Sequence, residues 1–452
     1  MTQRVIGSDI SGIRDGLFET NTFGRIEFLF LDFGIILIKA KQRLDLFVRD
    51  LVGIFVSGER RLVLCLRFGA GQSRFRLLHL EPVVPVVQLG DQLARLDDIA
   101  DYRLLHDREI VNRVDDSVVR VDLGRPRLLR RARGYAPAPL AMPPGFELAP
   151  PILALGGELK NTICLLEQGR AILSQHLGDL EDARTAAEYQ RTITLYRDLY
   201  QHHPRLLAVD LHPDYRSTRI GRELAEAEGL ELISVQHHFA HIASVLADCG
   251  RALDAGPVIG IALDGLGLGD DGTIWGGEFL LADYRGYRRL ARLKPAPMPG
   301  ATRAILEPWR NAYAQIATHL GWERFAADFA GLEITGFLRR KPLEMLAAML
   351  ARGLNSPQTS SCGRLFDAVA ATLGLSRDSI SYEGQAAIEL EALALTAERQ
   401  DDAGYPFAVA PGQDLLELDP APMWEALLRD LRGGVADARI AARFHRGLAR
   451  AV

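Results

Sequence analysis

The chain has 452 residues, 48% hydrophobic and 25% charged; this is the composition of a globular protein, too long for one core, so roughly two to four domains are expected. A net charge of −5 lacks the basic excess of a nucleic-acid surface, and four scattered cysteines (65, 164, 249, 362) exclude a zinc ribbon or disulfide framework and fit a reducing cytoplasm. The start has no signal-peptide build, and the most apolar run, Ile26 to Ile38, is broken by Glu27 and Asp32, so a soluble cytoplasmic protein without a membrane partner is expected.

In chain order, residues 1–90 carry no chemical motif; Arg25–Lys41 is dense in Phe, Leu and Ile and predicts one or two strands, and 43–55 has helical spacing. From Pro137 to Pro151 the chain is proline-rich, a stiff linker that cannot be a helix. Ile152–Leu155, Thr162–Leu166 and Ala171–Gln175 are short apolar runs parted by glycine turns, predicting antiparallel hairpins. A helix over Thr185–Tyr200, a strand over Leu206–Val209, a helix over Ser217–Glu228 and a strand over Leu232–Val235 follow, then a helix over 237–249. The order restarts with strands at Val258–Leu263, Glu278–Leu281 and Tyr287–Leu293. Helices are expected at 364–373, Met423–Leu431 and Val435–Ala449.

The densest chemistry lies in 236–280. His237 and His241 stand four residues apart, so on a helix both imidazoles leave one face, as a metal gripped from one rigid element requires. A histidine pair at this spacing is also common as a solvated or core pair. Asp264 ends an apolar run, and glycines follow at 265, 267, 269 and 272, where backbone amides could close on phosphate oxygens, although glycines mark plain hairpins too. Together they suggest a metal and nucleotide site. Lys160, one of very few lysines, sits in a Gly-Gly-Glu-Leu-Lys-Asn-Thr turn.

These residues resemble a known family. His-His-Phe-Ala-His-Ile-Ala-Ser (237–244) and the segment from Asp264 to Tyr284 closely resemble the hydrogenase-maturation carbamoyltransferase family, HypF. Leu153–Thr162, Leu173–Leu180, Asp210–Arg219, Glu307–Arg310, Thr359–Ala370 and Ser381–Ala387 agree, so the resemblance runs from about residue 91 to near the end. It implies an α/β chain with an actin-like (ASKHA) two-lobed domain: lobe I at 152–256 and lobe II at 257–452. It also implies that 91–136 is the tail of a YrdC-like domain, with Arg113 and Arg133 as anion ligands, and that 1–90 is unmatched. The family's last strand and its Asn-Asp-Gly-Gly segment are not found before Val452, so the second lobe is expected to be incomplete.

The reaction implied makes carbamoyl adenylate from carbamoyl phosphate and ATP. The carbamoyl group then passes to the C-terminal cysteine thiol of a HypE-like maturation protein, on the way to the cyanide ligands of [NiFe] hydrogenase. His237, His241 and Asp264 would hold a divalent metal, iron or zinc by the mixed nitrogen and oxygen donors, with magnesium accompanying ATP. Lys160, Asp210 and His212 would be catalytic, with Lys160 facing the Asp264–Gly272 turn. Gly156, Gly157, Asn161, Gly265, Gly267, Gly363, Glu383 and Gly384 would contact nucleotide or carbamoyl. Two other functions remain open from the sequence: a catalytically incomplete relative that at most binds a partner or nucleotide, and a carbamoyltransferase acting on a small-molecule hydroxyl.

Overall fold

A computed structural model describes residues 26–31, 35–40, 63–66, 102–105, 111–398, 402–412 and 414–452. The chain divides into two compact units, Met1–Asp115 and Asp116–Val452. In the first, β1 (Ile26–Leu31), β2 (Ile35–Ala40), β3 (Val63–Leu66) and β4 (Tyr102–Leu105) form an antiparallel sheet ordered β1-β2-β4-β3. The Phe- and Ile-rich run therefore makes two strands, as its composition suggests. The helix expected at 43–55 lies outside the described residues.

The second unit opens with a ribbon, β5 (Val118–Asp122) and β6 (Arg125–Arg130). Its Leu123-Gly124 turn has both residues at positive φ, 51° and 76°, the twist a two-residue hairpin needs. The proline-rich segment is not helical: it turns at 144–145 and 147–148 and adds β7 (Leu140–Ala141) to the edge of a sheet with β8 (Ile152–Leu155), β9 (Ile163–Glu167) and β10 (Arg170–Leu173). Helix α1 (Ala183–Tyr200) begins where the Asp182 carboxylate accepts from the Arg184 and Thr185 amides, filling two orphan donors. Then come β11 (Leu206–Asp210), α2 (Arg216–Glu228) and β12 (Glu231–Val235), giving a six-stranded sheet ordered β12-β11-β8-β9-β10-β7. Strand β11 pairs in parallel with β8 and β12. Alternate residues Leu153, Leu155, Leu207 and Val209 are buried against Tyr189, Ile193 and Tyr196 of α1, each fully buried leucine contributing on the order of 1.5–3 kcal/mol.

Helix α3 (His237–Asp248) starts at the end of β12 but packs on the next sheet: Ile242 and Leu246 join Ala262, Trp275 and Leu280 in one core. That sheet is built on β13 (Val258–Leu268), β14 (Ile274–Asp283) and β15 (Gly286–Leu293), with β16 (Ala296–Pro297) and β17 (Gln358–Thr359) beyond. Between β16 and β17 run α4 (Thr302–Leu306), α5 (Trp309–His319), α6 (Trp322–Asp328), α7 (Glu333–Arg339) and α8 (Leu343–Arg352). The chain closes with α9 (Cys362–Thr372), α10 (Gln385–Leu395), β18 (Ala408–Pro411), β19 (Leu416–Asp419), α11 (Ala421–Arg432) and α12 (Asp437–Ala451). Ile316, Phe325, Leu365, Val369, Trp424, Leu427 and Phe444 belong to the large helical core. Among the described residues β13 pairs with β14 alone, and Ile259, Ile261 and Leu263 on its outer face are exposed.

One expectation is corrected here. Asp264 does not sit at the mouth of a strand ending at Leu263: β13 continues to Leu268 through a register shift between Leu263 and Gly267, and the turn is formed by residues 269–273. The bulge absorbs the Asp264–Gly265–Leu266 segment without ending the pairing.

His319, the last residue of α5, is fully buried and neither ring nitrogen has a hydrogen-bond partner. Burial pushes its pKa down to about 4, although Asp419 nearby pulls the other way. Below pH about 6.5 the unfolded chain takes up a proton that the folded chain excludes. Stability contributed here is therefore complete above that pH and lost as pH falls toward 4, by on the order of 3 kcal/mol. Urea-denaturation midpoints of wild type and His319→Leu, measured from pH 7 to 4, should diverge in slope; parallel profiles would contradict this.

Candidate functional site

Strand β11 delivers Asp210 at its carboxyl end, α3 delivers His237 and His241 from its first two turns, and the β13 bulge delivers Asp264. Helix α3 is fixed at its start by Gln236, whose side-chain oxygen accepts from the Phe239 amide at 2.8 Å. Asp264 Oδ2 lies 3.2 Å from His237 Nε2 and 3.6 Å from His241 Nε2, and the two Nε2 atoms are 3.2 Å apart. One ligand atom from each of the three residues falls within 4.8 Å of the others.

Whether these residues suit a metal can be judged from the carboxylate. Asp264 Oδ2 is buried without a well-aligned hydrogen-bond donor, although three imidazole nitrogens, His238 Nε2 included, approach within 3.6 Å. Two imidazole nitrogens and a carboxylate oxygen converging within 3.6 Å of one another are a geometry that a shared cation satisfies, and two nitrogens with one carboxylate oxygen suit a first-row metal. The fit is good.

Asp210 organises the cluster. Its Oδ2 accepts from His237 Nδ1 at 2.7 Å, which assigns the Nδ1–H tautomer and leaves the Nε2 lone pair aimed at Asp264 and His241. Its Oδ1 accepts from the His212 amide at 2.8 Å. Burial works against a charged His237, but its hydrogen bonds to the carboxylates of Asp210 and Asp264 outweigh it and push its pKa up to about 9. Burial also opposes the Asp264 carboxylate, yet His237 and His241 hold it well below the usual range. His238, fully buried, is pushed down to about 4 by burial. Positive charge is thus favoured at His237 and disfavoured at His238, and at His237 a metal would replace the proton. Asp210→Asn should weaken divalent-metal binding about 10- to 100-fold with little change in melting temperature; calorimetric titration with Zn²⁺ or anaerobic Fe²⁺ checks it, and wild-type affinity would remove Asp210 from this role.

The glycines allow close approach. A β-carbon on Gly267 would stand 2.5 Å from His238 Cε1 and 3.1 Å from His237 Cβ, so only glycine lets β13 pass under α3. Gly363, in the first turn of α9, lies against the Gly265 backbone, where a β-carbon would meet Gly265 Cα at 2.9 Å. Ser361 caps α9, accepting from the Arg364 amide, and donates to the Gly265 carbonyl. The N-terminus of α9 is thereby docked against the bulge carrying Asp264.

From the first sheet, the β8–β9 loop brings Gly157 beside the cluster. Gly156 packs on Thr162, its amide donating to the Thr162 carbonyl at 3.1 Å. Asn161, expected to meet ligand, is buried and turned inward: its amide donates to the Gly156 and Gly157 carbonyls and staples the loop. Lys160 has φ 51° and its ammonium pairs with Glu383 Oε1 at 3.1 Å, both side chains about half exposed. Glu383, expected like Lys160 to be a site residue, lies in the loop before α10, where Gly384 forms the cap. His212 stacks on Tyr215 and its Nδ1 accepts from the Asp214 amide. Arg113 pairs with Asp115 and Arg133 with Asp116.

Sequence reasoning missed two supports. Glu278, fully buried, accepts from Ser360 Oγ and pairs with Arg289 at 2.7 Å; Arg289 also bonds Asp271 and lies 3.9 Å over the Trp275 ring. The signal was a glutamate inside an apolar strand segment (Gly276-Gly277-Glu278-Phe279). Tyr215 beside His212 is the other. No helix among the described residues is long and apolar enough to cross a membrane.

Residues 147–248 match the family described as the HypF Kae1-like domain, and 260–452 match the carbamoyltransferase, Kae1-like domain, second subdomain. The carbamoyltransferase HypF of Rhodobacter capsulatus is 45% identical over 367 residues, which cover 80% of this chain and 46% of that protein. A carbamoyltransferase HypF homolog of Cupriavidus necator is 38% identical over 330 residues, 69% of this chain and 77% of the homolog. Full-length HypF in its phosphate- and nucleotide-bound form matches with a TM-score of 0.70 at 37% identity, covering 80% of this chain and 45% of that one. HypF of T. kodakarensis matches at 0.68 and 33%, covering 80% and 47%. The chain thus spans about half the length of the R. capsulatus relative and of both solved structures. The two-sheet unit has the actin-like, Kae1-like α/β architecture.

Proposed function

The chain belongs to the HypF carbamoyltransferase family, and from that membership we propose that its two-sheet unit transfers a carbamoyl group to a cysteine thiol in [NiFe] hydrogenase maturation. The donor is carbamoyl adenylate, derived from carbamoyl phosphate and ATP, and the acceptor is the C-terminal cysteine of a HypE-like maturation protein. The observation that carries the reading is the convergence of His237, His241 and Asp264 under a carboxylate, Asp210, that orients His237. A divalent ion held by these three would act as a Lewis acid toward a carbonyl or phosphate oxygen.

The chain's own residues supply the rest. In the transfer the thiolate sulfur bonds the carbamoyl carbon, the carbon–oxygen bond to AMP breaks with its electron pair leaving on the phosphate, and the thiol proton goes to solvent. Asp210 keeps His237 in one tautomer throughout. Gly157 borders His237 and Asp210, and Gly265 has open space where a side chain would stand, so at these two glycines phosphate or ribose can come close to the main chain, while Gly156 and Gly363 let their own elements pack closely. Lys160 and Glu383 stand at the rim, tying the loop of the first sheet to that before α10.

The test supplies carbamoyl adenylate and a peptide ending in cysteine to the purified full chain. Thiocarbamate formation, read by mass spectrometry, should require a divalent metal: chelation abolishes it and Fe²⁺ or Zn²⁺ restores it. No transfer by the metal-loaded chain would refute the reading. Transfer to a small-molecule hydroxyl in preference to the thiol would reassign the acceptor.

A further inference from the structure

The β11–α2 loop carries a side chain that the reaction as described leaves unused. Tyr215 is the residue before α2, and it makes no side-chain capping bond, so the helix does not need its hydroxyl. Its ring lies flat on His212, centroids 4.3 Å apart and planes 12° apart. The ring edge reaches the β8–β9 loop: a β-carbon on Gly157 would stand 3.9 Å from Tyr215 Cε2, 3.6 Å from His237 Cε1 and 3.9 Å from Asp210 Oδ2. The absent side chain of Gly157 therefore leaves a gap walled by Tyr215, by the metal-side imidazole and by the carboxylate that orients it. The phenol oxygen is not a buried orphan, and it has no hydrogen bond to another described residue.

His212, whose Nδ1 accepts from the Asp214 amide, presents its ring face to Tyr215 and so acts as a platform for that ring. Burial, together with the charges of Asp210, Asp264 and Glu158, pushes the phenol up to about 12. It is a donor throughout the working range of pH, in a wall otherwise occupied by acceptors and imidazoles.

We propose that Tyr215 is a substrate-contacting catalytic residue, its phenol donating a hydrogen bond to the carbamoyl carbonyl oxygen in the gap beside Gly157. This rests on reading the cleft as a carbamoyl-transfer site. Negative charge grows on that oxygen as the sulfur adds to the carbon, so a fixed donor strengthens in the transition state and its loss lowers kcat. The proton stays on the phenol throughout; no covalent step is added.

Tyr215→Phe deletes the hydroxyl and keeps the ring on His212. In the thiol-transfer assay with saturating metal, kcat and kcat/KM should both fall about 100-fold, while metal affinity and melting temperature stay at wild-type values. Gly157→Ala, whose methyl would make contacts of 3.6–3.9 Å and so fit without displacing the wall, should also lower kcat by filling the gap. Wild-type kcat in Tyr215→Phe would overturn the proposal, as would a rise in KM alone, which belongs to a ground-state contact. A loss that tracks weaker metal binding would overturn it too, because it would make Tyr215 a prop for His237. The two readings fail separately: an inactive wild type sinks the transfer function, and an undiminished Tyr215→Phe in an active background sinks the role of Tyr215 alone.

Discussion

His241→Ala should abolish metal-dependent transfer while leaving the fold intact. The His241 side chain is 56% exposed, and a substitution at such a site ordinarily shifts stability by no more than about 0.5 kcal/mol. If His241 were only a surface imidazole, nothing else would change. Its Nε2 instead lies 3.2 Å from His237 Nε2 and 3.6 Å from Asp264 Oδ2. Loss of an outer partner such as Asp210 costs about 10- to 100-fold in metal affinity, so loss of a direct ligand should cost more than about 100-fold. Zinc titration calorimetry, thermal unfolding and thiocarbamate yield should be measured on one preparation. Unchanged affinity, with the melting temperature also unchanged, would show that the cation is held elsewhere.

Glu278→Ala should be the most destabilising single change near the site, by about 3–5 kcal/mol. Glu278 is fully buried in β14 and paired with Arg289, which is itself 10% exposed. Removing the carboxylate takes away the buried partner of the Arg289 guanidinium, leaving it only the half-exposed Asp271, and also frees Ser360. Ser361, next in sequence, holds the Gly265 carbonyl, so the disturbance reaches the bulge that carries Asp264, and metal affinity should fall with stability. Glu278→Gln keeps the shape and one acceptor and should cost less. The double change Glu278→Leu with Arg289→Met should recover much of the loss, because neither buried charge remains and Asp271, 40% exposed, keeps its bonds from Thr273 and Trp275. Urea unfolding followed by circular dichroism decides it; equal stabilities for wild type and Glu278→Ala would mean the pair contributes nothing net.

What the sequence determined by itself was local. The four-residue spacing of His237 and His241 puts both on one helix face by geometry alone, and period-two and period-3.6 patterns place the strands and helices from Ile152 to Val235 nearly at their observed bounds. The HypF resemblance was likewise legible, because long motifs survive in order. What only tertiary structure decided depended on pairings far apart in the chain. Asp264 meets the histidines because β13 bulges where a regular hairpin turn was expected, and a bulge is set by the strand beside it. Lys160 turns to Glu383, 223 positions away, and Asn161 spends its amide on its own loop, because a side chain's partner depends on which neighbours packing supplies. Glu278 and Tyr215 looked ordinary in one dimension for the same reason: burial against Arg289, or stacking on His212 beside Gly157, exists only once two sheets and the elements between them are brought together.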